Sequence, residues 1–139
     1  MGGARLAALW LALWLGSLAL PVAIMGRHID DIYRGWSILM IGWMGAFVLQ
    51  FGWFANLAFL LAVGMLAFSR KRTLWASVLT FPLVAATVDA LFWHEIDGDN
   101  GPAQIQSFGV GYYLWFAAMI GAAASLAWCS SRWRTDRPV

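Results

Sequence analysis

The stretch from Gly35 to Arg72 constrains this chain most, because it holds an apolar and aromatic run too long for one ordinary membrane crossing and ends in the cationic triplet Arg70, Lys71, Arg72. Residues 36–49 and 53–69 are both apolar and are separated only by Gln50, Phe51 and Gly52. As one straight helix the run would extend ~50 Å at ~1.5 Å per residue, well beyond a hydrocarbon core of ~30 Å. It must break, tilt or lie flat.

The rest of the chain cannot supply a water-facing surface for such a run. At 139 residues, 62% hydrophobic, 12% charged and with a mean hydropathy of +0.71, it has too few polar side chains, so lipid must solvate most of it. Ten tryptophans suit a protein with two interfaces, since the indole ring sits well at headgroup level. The basic residues lie in short clusters beside apolar runs. That layout points to membrane sorting rather than nucleic-acid binding, and no soluble basic module exists for the latter.

Three further apolar runs lie at residues 6–25, 74–93 and 108–128. The first has a basic start and a small residue, Ala23, at a possible cleavage point, as in a signal peptide. Its length, however, matches the ~20 residues needed to cross the hydrocarbon core, so we read it as a transmembrane helix with Pro21 near its outer end. Pro82 lies inside the third crossing, where Ser77, Thr80 and Thr87 are placed to help satisfy freed carbonyls.

Charge then sets the topology. Arg70 to Arg72, Arg5 and the tail with Arg132, Arg134 and Arg137 share one side only if one of the segments 36–49 and 53–69 does not span. The fold expected is therefore all-α: a single-domain integral membrane bundle with crossings at 6–25, 53–69, 74–93 and 108–128. A tilted, re-entrant or interfacial segment at 36–49, bent near Gly52, precedes the second crossing, with a long tilted helix as the rival form. Seven of the nine cations then fall inside and only Arg27 and Arg34 outside, while Asp30, Asp31, Glu95, Asp97 and Asp99 fall outside. Trp36, Trp93 and Trp115 would mark the outer ends, and Trp75, Trp128 and Trp133 the inner ones. Compactness and charge bias suggest a bacterial inner membrane with both termini cytoplasmic.

Asp89 is the sharpest candidate for chemistry, because a carboxylate at the centre of a membrane costs roughly 2.5–3.5 kcal/mol on insertion scales and usually faces a cavity or a partner. It is either a proton or cation site or a paired anchor near the outer end of its helix. Asn56 and Gln50, uncharged but polar, are expected to hydrogen-bond across helices. In the outer connections His28, Asp30, Asp31, His94, Glu95, Asp97 and Asp99 offer oxygen and nitrogen donors that would suit a divalent cation if they converge, or else form an ordinary solvated surface. The run Asp97–Gly101 superficially resembles the start of a calcium loop. Pro102 and Phe108 stand where the turn glycine and closing glutamate belong, so a simple turn at Asn100 and Gly101 fits better, and no metal is assigned.

Ala117, Gly121, Ser125 and Cys129 recur every four residues on the last crossing and make one small face. Such a face lets helix backbones approach, either within the chain or against another chain. The single cysteine excludes an intrachain disulfide and a thiolate cluster. There is no nucleophile constellation, no paired carboxylates on one helix and no phosphate-binding glycine loop. The function expected is therefore non-enzymatic, with no cofactor and no catalytic residue: an accessory subunit of a membrane complex or a self-associating bundle, whose partners are the lipid bilayer and another membrane protein or itself. The alternatives are a small oligomeric channel or proton- or cation-coupled transporter using Asp89, and a membrane immunity or defence protein acting through the outer acidic loops.

Overall fold

The computed structural model describes residues 2–25, 32–68, 73–98 and 101–135. The protein is mostly helical, with five α-helices: α1 (Gly3–Ala19), α2 (Gly35–Ile41), α3 (Ala55–Phe68), α4 (Thr73–Asp89) and α5 (Val110–Thr135). Two of them, over Trp75–Phe92 and Val110–Arg132, are long and apolar enough to cross a membrane. Short strands, absent from the sequence expectation, complete the fold: β1 (Pro21–Ile24), β2 (Ile32–Arg34), β3 (Glu95–Gly98), β4 (Gly101–Gln104) and β5 (Ser107–Phe108).

Helix α1 stops earlier than residue 25, for a local reason. Leu20 adopts extended backbone, φ −98° and ψ 158°, as proline Cδ demands of the residue before it. Pro21 then starts β1 rather than continuing the helix. β1 is the middle strand of an antiparallel sheet ordered β2-β1-β5, with Ala23 opposite both Tyr33 and Phe108. β3 and β4 form a separate antiparallel pair in which Gly98 faces Gly101. The turn read at Asn100 and Gly101 thus falls partly outside the described residues, and Gly101 itself opens β4.

Four helices, α1, α3, α4 and α5, pack on one another. Their directions alternate. Gly3 lies against the Leu66 carbonyl at one end, whereas at the other Gly35 abuts Ser17 and Leu18, Gly52 abuts Ala90, and Gly111 abuts Leu20 and Pro21. All the described strands and the strap Gly35–Phe54 connect to that second end. The core is built of small residues around Phe59, Leu83, Met119 and Leu126, all fully buried. Outward, Phe81 is 77% and Phe68 87% exposed.

Gly121 and Ser125 are used inside the chain. The ring of Trp10 on α1 fills the space a Cβ at Gly121 would take, and its Nε1–H donates to Ser125 Oγ at 2.9 Å. Cys129 is buried on the same helix, whereas Ala117 is exposed. Around Pro82 the hydroxyls of Thr80 and Thr87 donate to Ala76 O and Leu83 O, at 2.8 Å and 2.6 Å. Neither reaches the Val78 carbonyl, the one whose intrahelical donor proline removes.

The strap does not form a helix parallel to α3. α2 gives way to a 3-10 turn at Gly42–Val48, Leu49 takes a left-handed backbone with φ 60°, and a second 3-10 turn at Gly52–Phe54 leads into α3. Trp53 reaches back so that its Nε1–H donates to Leu39 O at 2.9 Å. The segment therefore begins and ends at the same end of the bundle.

Candidate functional site

Beneath the strap, the indoles of Trp14 and Trp115 and the Trp53 carbonyl meet on Asn56 at the start of α3. Asn56 is 7% exposed. Its Oδ1 accepts two indole N–H groups, from Trp14 on α1 and Trp115 on α5, each at 2.9 Å. Its Nδ2 donates to Trp53 O at 2.8 Å. One amide side chain thus ties three helices and the strap together. A carbonyl oxygen has two lone pairs, and here both are occupied.

A partly open cleft of about 430 Å³, mouth included, adjoins this hub. Ser17, Val22, Ile38, Trp53, Trp93 and Tyr112 are among its walls. Tyr112 closes one side, its hydroxyl donating to Ala90 O at 2.9 Å and its ring stacked on Phe108 with centroids 4.1 Å apart. Trp93 and Ile38 also border a second cleft of about 390 Å³, which Gln50 and Glu95 line. Trp93 Nε1 is buried without a hydrogen-bond partner among the described atoms.

Asp89 sits at the last turn of α4, half-buried. Its Oδ2 accepts the backbone N–H of Phe51 at 2.6 Å. That amide belongs to the break in the strap, just after the left-handed Leu49, where no helical carbonyl is positioned to receive it. A charge-assisted bond to a backbone donor is among the stronger ones available. Asp89 thereby pins the strap to α4.

The three intramembrane polar candidates therefore occupy different places: Asn56 at the hub, Gln50 in the wall of the second cleft and Asp89 on the strap backbone. Of the outer candidates, His94 is exposed, with Nδ1 at 2.9 Å from Phe92 O, and Glu95 is half-buried at the second cleft. Asp97 contributes backbone to β3. His28, Asp30, Asp31 and Asp99 lie outside the described residues. No group of three or more His, Cys, Asp and Glu side chains among the described residues is arranged to hold a metal ion.

The indoles of Trp14 and Trp115 are the site residues that sequence reasoning missed. Trp115 lies near the start of α5, the end expected to face outward, and its indole is turned onto Asn56. Trp36, Trp75 and Trp128 do face outward, and Arg132 lies over the Trp128 ring at 4.2 Å. The available signal was a lone Asn in an apolar helix, which demands donors or acceptors from its neighbours. No known protein family, curated protein or solved structure matches the chain.

Proposed function

We propose that the protein is a four-crossing integral membrane protein that works without catalysis, as an accessory subunit held in a larger membrane assembly. α1, α3, α4 and α5 are the crossings, and both termini are cytoplasmic in a bacterial inner membrane. The alternating helix directions support this topology. They put Arg5 and Arg132 at the end where α3 finishes and α4 begins, against Arg34 alone among the described cations at the strap end, a Lys/Arg bias in the direction positive-inside sorting favours.

The observation that carries the functional reading is that the polar interior is spent on architecture. Asn56 is engaged by Trp14, Trp53 and Trp115, and Asp89 holds the strap, so neither is left facing a substrate. The small face of α5 is already filled by Trp10 at Gly121 and Ser125. What remains for a partner is the outward stripe of α4, where Trp75, Val78, Phe81 and Val88 are exposed. Helix association in lipid is driven by packing, and this stripe offers large apolar side chains that nothing in the chain covers.

The test is native mass spectrometry of the protein extracted with its own lipids, after photocrosslinking from position 81. A crosslink to a larger membrane protein supports the accessory-subunit role, and a crosslink to a second copy turns it into self-association. A monomer with neither contact, in native lipid, refutes both.

A further inference from the structure

We infer that the strap Gly35–Phe54 is a re-entrant hairpin seated among the acyl chains of the outer leaflet, and that lipid tails are the partner of its exposed face. The inference rests on the four-crossing topology proposed above. Three observations lead to it.

The first is length. α1 has 17 residues and α3 has 14, so at ~1.5 Å per residue they reach roughly 26 Å and 21 Å, short of a hydrocarbon core of ~30 Å. Something other than these two helices must complete the apolar layer, and the strap lies where α1 ends and α3 begins.

The second is the surface. From Gly35 to Phe54 no residue carries a charge. The strap turns Trp36, Met40, Trp43, Phe47, Leu49 and Phe51 outward, with Met40 68%, Leu49 76% and Phe47 79% exposed. This face is continuous in chain and in character with the outward side of α3, where Leu57, Leu60 and Leu61 are exposed. A water-facing lid would carry polar residues on that side.

The third is the backbone. Non-helical chain at membrane depth persists only where the protein itself satisfies its polar groups. The amides at the strap's break are met in that way. Leu49 N–H donates to Ala46 O at 3.3 Å, Gln50 N–H to Gly45 O at 2.8 Å and Phe54 N–H to Phe51 O at 3.0 Å, while Phe51 N–H takes the Asp89 carboxylate.

The experiment uses the full chain in liposomes, with Cys129→Ala as background and single cysteines introduced by Phe47→Cys, Met40→Cys, Leu61→Cys and Gln104→Cys. Each is labelled with an environment-sensitive fluorophore and quenched either by nitroxide lipids, with the spin label high or low on the acyl chain, or by aqueous iodide. Each labelled variant is first checked for cooperative unfolding. The expected result is that the labels at 47 and 40 are blue-shifted and quenched by the shallow acyl nitroxide but not by iodide. The label at 61 should respond to the deep nitroxide, and the label at 104 to iodide. Quenching of 47 and 40 by iodide, with 61 still in the acyl zone, overturns the re-entrant strap alone. Iodide quenching at 61 overturns the four-crossing topology, and the strap inference falls with it.

Discussion

Replacing Asn56 by Leu tests the hub most sharply, because the side chains are close in size and the change removes hydrogen-bonding groups with little loss of volume. In Asn56→Leu the indole N–H groups of Trp14 and Trp115 lose their common acceptor and Trp53 O loses its donor. Inside a membrane protein such bonds average ~0.6 kcal/mol and reach ~1.7 kcal/mol, so three of them amount to about 2–5 kcal/mol. The upper part of that range is favoured, since two buried donors are orphaned together and a stranded buried donor costs ~1–3 kcal/mol. The assay is reversible unfolding in mixed micelles, with Trp14→Phe and Trp115→Phe made in both backgrounds. In wild type each indole replacement removes one bond to Asn56, while in Asn56→Leu that part of the cost is already gone. The coupling between Trp14 and Asn56 should therefore be clearly non-zero, as contacting pairs show. A stability within ~0.5 kcal/mol of wild type for Asn56→Leu, or Trp14→Phe costing the same in both backgrounds, refutes the hub.

Asp89→Asn retains an oxygen acceptor for Phe51 N–H and should hold the strap, whereas Asp89→Leu removes it and should cost ~0.5–1.5 kcal/mol, the net worth of one hydrogen bond. Hydrogen exchange at residues 49–54 separates the two, and equal protection in both variants would sink the role given to Asp89. Leu49→Gly relieves a left-handed backbone that costs a non-glycine residue ~1–2 kcal/mol. The unfolding midpoint should rise, and a fall would show that the Leu49 side chain contributes more than its strain removes. Gly121→Leu collides with the Trp10 ring and should destabilise the monomer by about 1–3 kcal/mol. An unchanged unfolding midpoint with loss of a co-purifying partner would instead place that face between chains.

What hydropathy governs was legible in the sequence. The apolar runs at 74–93 and 108–128 became α4 and α5, and the charge pattern suggested that one of the segments 36–49 and 53–69 does not span. A bend near Gly52 was legible and falls at the 3-10 turn Gly52–Phe54, but the form of the break just before it was not. It follows from the left-handed Leu49 and from the grip of Trp53 on Leu39, neither of which leaves a periodic trace. Strands of two to four residues were equally hidden, because β1 reads as the tail of an apolar helix until Pro21 forces Leu20 extended. Asn56 stood out as polar, yet its partners lie 42 and 59 residues away, a separation only tertiary packing can close. The small face from Gly121 to Cys129 announced close packing without naming Trp10, since an internal helix and a foreign one make the same demand on a glycine.

The central claim is the four-crossing bundle with both termini on one side and the strap on the other. Cysteine accessibility in intact cells tests it most directly, with Gln104→Cys and Ser131→Cys in the Cys129→Ala background and a membrane-impermeant thiol reagent. The account predicts that position 104 labels in intact cells and position 131 only after the membrane is opened. Labelling of both positions in intact cells, or of neither until the membrane is opened, would contradict it.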